Sequence, residues 1–149
     1  TVETLSRAGY RQYEISNFAK PGRACVHNLK YWRCMEYLGF GPAAHSFFEG
    51  ERFYHPRGLS AYLESRGANR VPDGPGGGGE EQILLGLRLA EGMELSALPL
   101  PEAERAQFLK KARVFEKAGL AEEINGRFRL TPEGFLVSNS VLAELLSFE

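Results

Sequence analysis

Residues 71–79, Val-Pro-Asp-Gly-Pro-Gly-Gly-Gly-Gly, constrain this chain more than any other stretch. Two prolines and five glycines in nine positions remove side chains and backbone donors together. Such a run reads as a flexible linker that does not pack. It predicts a boundary near the middle of the 149 residues, with residues 1–70 on one side and residues 80–149 on the other. Hydrophobic residues make up 43% of the chain, enough to give each side some apolar interior.

The second half is the more regular. Ile83, Leu84, Leu85, Leu87, Leu89 and Ala90 predict a helix over 80–91 that is apolar around most of its circumference, and so buried on more than one side. Phe108, Leu109, Ala112, Phe115 and Ala118 form one stripe of a helix over 101–118, with Gly119 where it would stop. Strands over 120–124 and 127–130 are joined by Asn125-Gly126, a strong short-range hairpin signal. Thr131 can cap a final helix with Pro132 in its first position, running to about Leu146 with Phe135, Leu142 and Leu145 inward. Helix, helix, two-stranded wing and helix is a winged-helix-like order.

The first half reads as the end of something else. Thr1 is not a start methionine, and Val2, Leu5 and Ala8 share one face of what looks like the tail of a helix stopped at Gly9. Gln12 to Ile15 follows as a strand, which makes one αβ step, with Ser16-Asn17-Phe18 at the end where ligands gather in such folds. The expectation is a fragment whose N-terminal part lies elsewhere. Residues 25–35 show neither helical nor strand periodicity and predict a loop bearing large side chains. Residues 37–42 predict a short buried strand ending in a tight turn, 43–48 an extended continuation, 53–55 a returning strand, and 59–66 a short helix. The fold class is therefore α+β: the last αβ unit of a β/α architecture followed by a winged-helix-like domain.

Charge and cysteine content narrow the function classes. A net charge of −1 and two cysteines argue against a nucleic-acid scaffold and against a disulfide framework. No apolar run is long enough to cross a bilayer, so the reading is a cytoplasmic protein whose membrane association, if any, comes through partners. The helix over 101–118 carries Arg105, Lys110, Lys111, Arg113 and Lys117 beside Glu102, Glu104 and Glu116, and the hairpin sets Arg127 and Arg129 against Glu122 and Glu123. This mixture predicts a solvated face rather than a DNA reader. A winged-helix nucleic-acid module is the least favoured of three functional readings.

Chemistry-bearing residues concentrate between Tyr13 and Phe47. Cys25, His27, Cys34 and His45 could together form a zinc site, but their spacing matches no standard ribbon, and two reduced thiols are the plainer reading. His27-Asn28-Leu29-Lys30-Tyr31-Trp32 offers an imidazole, an amide and flat aromatic faces. This set suits a porphyrin carrying an axial imidazole, or else a loop anchored by Tyr31 and Trp32. Gly39-Phe40-Gly41-Pro42-Ala43-Ala44 would let backbone approach a ligand, yet it lacks the GxGxxG spacing of a phosphate loop.

Tyr13–Ala19 (YEISNFA), Cys25, His27–Trp32 (HNxxYW), Tyr37–Pro42 (YLGFGP) and Ala44–Phe47 (AHSF) resemble the radical S-adenosylmethionine proteins related to oxygen-independent coproporphyrinogen III oxidase. HNxxYW places the resemblance on the HemW-like, heme-chaperone side, and the second half is similar to that family's C-terminal domain. The resemblance implies a full-length protein with a partial β/α radical SAM barrel, S-adenosylmethionine and a [4Fe-4S] cluster on CxxxCxxC, a motif that Cys25 and Cys34 do not form. Residues 1–19 would be the barrel's last helix and strand. His27 would associate with heme iron, with Asn28, Tyr31 and Trp32 around the ring. Gly39, Gly41, Ala43 and Ala44 would lie near the S-adenosylmethionine pocket. The implied role is to bind heme and deliver it to acceptor proteins, with a homodimer as one mode of assembly. The alternative is the oxidative decarboxylation of coproporphyrinogen III. This chain alone, lacking cluster cysteines, is expected to catalyse nothing.

Overall fold

The computed structural model describes residues 1–148. Helix α1 (Val2–Arg7) leads into strand β1 (Arg11–Gln12), which pairs antiparallel with β2 (Phe18–Ala19). Helix α2 (Val26–Trp32) follows, and then an antiparallel sheet of β3 (His45–Phe48), β4 (Glu51–Tyr54) and β5 (Val71–Pro75), with helix α3 (Leu59–Glu64) between β4 and β5. The remaining elements are α4 (Gly79–Gly86), β6 (Met93–Glu94), a 3₁₀ turn at Leu95–Ala97, α5 (Glu102–Lys117), β7 (Ala121–Ile124), β8 (Arg127–Leu130), α6 (Pro132–Leu136) and α7 (Ser138–Leu145). Strands β6, β8 and β7 form a second antiparallel sheet in that order. The architecture is α+β.

Several sequence expectations need correction. The stretch 71–79 is not a flexible linker. Val71–Pro75 is a strand whose Val71 and Pro72 pair with Tyr54 and Phe53, and Pro75 pairs with Glu51 beyond a register shift. Gly76 and Gly77 lie so close to the Phe47 ring that a Cβ on either would fall 2.9 Å from it. The glycines therefore pack because they are small, whereas composition predicted only freedom. The strand expected over 12–15 is also interrupted. Tyr13 N donates to Asn17 O at 3.1 Å and closes a turn, and Glu14 makes an antiparallel bridge to Leu89 instead of joining a parallel neighbour.

The helix expected over 80–91 ends at Gly86, because Leu89 leaves it for that bridge. Ile15 N donates to Arg88 O at 2.9 Å and Ala90 N to Tyr13 O at 3.1 Å. The last helix is split at Val137, where φ is −119°. The break lets Val141, Leu142 and Leu145 of α7 enter the core while Leu136 stays 86% exposed.

The main core belongs to the second half. Ile83, Leu87, Leu98, Phe108, Ala112, Phe128, Val141 and Leu145 are all buried there. Phe108 meets Phe128 edge to face, with ring centroids 5.7 Å apart. The stripe read on α5 is the face that fills this core, with Phe108 and Ala112 buried and Phe115 packed against them. Glu102 and Glu104 in the first turn and Lys117 in the last complement the helix dipole. Asn125 and Gly126 take φ of +53° and +79°, the left-handed turn the hairpin requires. Thr131 Oγ1 accepts from Gly134 N at 3.1 Å, as expected of the cap.

Candidate functional site

The residues read as a loop over 25–35 form helix α2. Cys25, in extended conformation with φ −70° and ψ 107°, opens it. Cys34, in the left-handed region at φ +51°, lies just past its end. Periodicity missed it because both faces of this short helix carry aromatic or polar side chains, and Val26 is 71% exposed. Packing against α4 orders it, a tertiary cause that a seven-residue segment does not announce.

One face of α2 presents His27 and Tyr31, one turn apart. Tyr31 Oη lies 2.7 Å from His27 Nε2, and the two rings meet edge to face at 4.9 Å. His27 is exposed and Tyr31 half-buried. On its other side Tyr31 meets Tyr37 edge to face at 4.5 Å. Tyr37 in turn is clamped to β3: its N–H donates to Phe47 O at 2.7 Å, and Phe47 N donates to Tyr37 O at 3.0 Å. The expected buried strand over 37–42 is thus reduced to this single bridge, and Phe40 beyond it is 81% exposed.

The next face of α2 turns inward. Asn28 Nδ2 donates to Tyr13 Oη at 3.3 Å, tying α2 to the YEISNFA segment. Trp32 lies beneath the Arg88 guanidinium, 5.7 Å from ring centroid to Cζ. Arg33 pairs with Glu91 at 3.2 Å. Buried Glu14 and half-buried Trp32 and Arg88 have buried atoms without hydrogen-bond partners among the described residues: both Glu14 carboxylate oxygens, Trp32 Nε1 and Arg88 Nε.

The segment assigned to the S-adenosylmethionine vicinity is held by its own chain. Gly39 N donates to Ser46 Oγ at 3.0 Å, Gly41 N to Tyr62 Oη at 3.0 Å, Ala43 N to His55 O at 3.0 Å and Ala44 N to Gly41 O at 3.2 Å. The missing side chain at Gly39 serves contact with β3, since a Cβ there would lie 2.2 Å from His45 O.

The two thiols stand apart in character. Cys25 is exposed, and Cys34 is half-buried. Cys34 borders a cavity of about 180 Å³ shared with Tyr31, Tyr37, Phe47, Arg52 and Glu81. Burial pushes the Cys34 thiol up and the Glu81 carboxylate adds to this, against the opposing pull of Arg52. No three His, Cys, Asp or Glu side chains converge as a metal site among the described residues, so the zinc arrangement of Cys25, His27, Cys34 and His45 does not form. By the same test these residues do not fit a [4Fe-4S] cluster, which requires clustered thiolates. Tyr13, Glu14 and Tyr37 lie in the YEISNFA and YLGFGP motifs, but nothing in the sequence gives them a place in the site, and Arg88 lies in no motif. Their contacts depend on folding and have no local spacing.

Residues 79–137 match the HemN C-terminal domain. The chain is 35% identical to the heme chaperone HemW of Synechocystis sp. over 97% of its own length and 42% of that protein. It is 32% identical to the HemW of Mycobacterium tuberculosis over 95% of its length and 36% of that one. Among solved structures it superimposes on the radical SAM enzyme coproporphyrinogen III oxidase (HemN) of Escherichia coli with a TM-score of 0.66, at 17% identity, covering 97% of this chain and 38% of that one. The fold and the matched domain define a HemN-related chain. Within that class it belongs to the HemW-like family. It spans about two-fifths of the length of these relatives.

Proposed function

We propose that this chain is the heme-holding and C-terminal part of a HemW-like radical SAM protein that binds heme and delivers it to acceptor proteins. The observation that carries the reading is the His27–Tyr31 pair on the outer face of α2, inside the HNxxYW element. An exposed imidazole on a helix set over aromatic rings suits a flat macrocycle that must be both taken up and released. The cavity behind Tyr31 is far smaller than a porphyrin, so heme lies on the surface of α2. Asn28 and Trp32, turned inward, position the helix beneath the ring.

The domain reading goes with this function. Residues 1–70 would complete a partial β/α radical SAM barrel and carry the heme element, with 71–79 as a packed strand and turn. Residues 80–149 would be the winged-helix-like C-terminal domain, where the hairpin β7–β8 is the wing. S-adenosylmethionine and the cluster would be held by the barrel, and residues 39–44 would border the former through groups other than their engaged amides. Both basic side chains of the wing are held within the chain: Arg129 pairs with Glu122 at 2.8 Å, and Arg127 donates to Gly92 O at 2.7 Å. This supports a structural wing over one that grips phosphates.

Heme titration of the full-length protein, wild type beside His27→Ala, tests the reading. The expected outcome is a Soret band in the wild type and at least about tenfold weaker binding in the variant, or about 1.4 kcal/mol. Equal affinity with an unchanged Soret band would remove His27 from the role.

A further inference from the structure

The two halves of the chain differ in how far they bury their own apolar groups. Among the described residues fourteen hydrophobic side chains are buried, and thirteen of them lie between Ile83 and Leu145. Phe47 is the one that belongs to residues 1–79. Exposed large hydrophobic residues run the other way, with eight of twelve between Val2 and Leu63. Apolar burial is what offsets the entropy of ordering a chain, so the first half is not held by an interior of its own. Part of its exposed apolar surface is gathered on one face. Leu59 and Leu63, 60% and 64% exposed, stand one turn apart on α3. Tyr62 beside them accepts from Gly41 N at 3.0 Å, which draws the segment bearing exposed Leu38 and Phe40 to the same helix. Gly41 takes φ of +106°, so the turn that projects Phe40 is a defined one.

We propose that the face formed by Leu38, Phe40, Leu59 and Leu63 is the docking surface for the rest of the longer polypeptide, the partial β/α barrel of the functional reading above. The inference rests on that reading and specifies which surface joins the two parts. Length argues for this occupant, because the chain spans only about two-fifths of the relatives it matches. Tethering argues for it too. A segment of the same polypeptide sits at high effective concentration and covers the face permanently. A heme acceptor that comes and goes would leave four large apolar side chains bare between encounters, an aggregation liability. The docked surface is apolar, matching side chains that carry no charge to pair. Docking on Phe40 also fixes the segment that begins at Tyr37, whose ring meets Tyr31, and so couples α2 to the barrel.

The test is hydroxyl-radical footprinting of the full-length protein, read by mass spectrometry and repeated after dilution, with heme uptake followed on the same sample. Phe108 of the core and Leu136, 86% exposed, are internal standards for slow and fast oxidation. Phe40 and Leu63 are expected to oxidise at the slow rate of Phe108 at every protein concentration. Replacing Leu59 and Leu63 together by serine removes apolar contact that this chain alone does not make, so it should lower the thermal midpoint of the full-length protein and speed oxidation of Phe40. Oxidation of Phe40 and Leu63 at the rate of Leu136, with heme bound, would overturn the docking surface and leave the functional reading standing. Protection that disappears on dilution would assign the face to a second copy and overturn the proposal. Protection without heme uptake would support the docking surface while overturning the heme-binding reading.

Discussion

Gly39 links the stability of the first half to the geometry of the proposed heme-binding face, which makes Gly39→Ala the most informative single substitution. A Cβ at Gly39 would lie 2.2 Å from His45 O and 3.1 Å from Ala44 Cβ. Real Cβ atoms essentially never approach within 3.0 Å, so the 37–42 segment must retreat from β3 by most of an ångström. Overpacking of this kind costs about 1–3 kcal/mol. The retreat also stretches the bond from Gly39 N to Ser46 Oγ, and Ser46 is buried, so a lost partner adds about 1 kcal/mol or more. Stiffening of the unfolded chain by alanine offsets about 0.4–1 kcal/mol. The net expectation is a loss of about 2–3 kcal/mol. Urea unfolding followed by far-UV circular dichroism measures it. Gly58→Ala is the control, because its Cβ would meet nothing closer than Ala61 Cβ at 3.7 Å, and it should stay within about 1 kcal/mol of wild type. Tyr37 lies two residues before Gly39, so the same variant should loosen the Tyr37–Tyr31 contact and weaken heme binding. If Gly39→Ala unfolds at the same urea concentration as Gly58→Ala, the close-approach argument is wrong.

Three further outcomes are expected. Glu14 is fully buried with neither carboxylate oxygen partnered among the described residues, so Glu14→Met, close in volume, should raise stability by about 1–3 kcal/mol in the same urea assay; a fall in stability would mean that the carboxylate has a partner in solution. For Cys34 the folded state holds the thiol above its ordinary value, first through burial and then through Glu81. The stability this contributes is fully present below the ordinary thiol value and is lost as pH rises through the raised one. Iodoacetamide at mildly alkaline pH should accordingly modify exposed Cys25 first, and Cys34→Ala should flatten the alkaline decline in stability; faster alkylation of Cys34 would contradict the burial argument.

Three features of the second half were legible in the sequence because their signals are local or periodic. The stripe Phe108–Ala112–Phe115 needs only helical geometry to define a face, Asn125-Gly126 only the left-handed conformations its residues tolerate, and Thr131-Pro132 only the unsatisfied amides at a helix start. The motif residues of the candidate site could also be named from the chain order, His27 to Trp32 above all. Their arrangement could not. Helix α2 exists because α4 lies beside it, and Tyr31 is fixed through Tyr37 by a bridge to Phe47. The glycines of 76–77 are ordered because they let backbone pass the Phe47 ring, a close approach that composition reads as slack. Sequence determined which groups are present and which local conformations they favour. Tertiary structure decided which nitrogen and which oxygen face each other at 2.7 Å, because contacts between segments depend on the path of the whole chain.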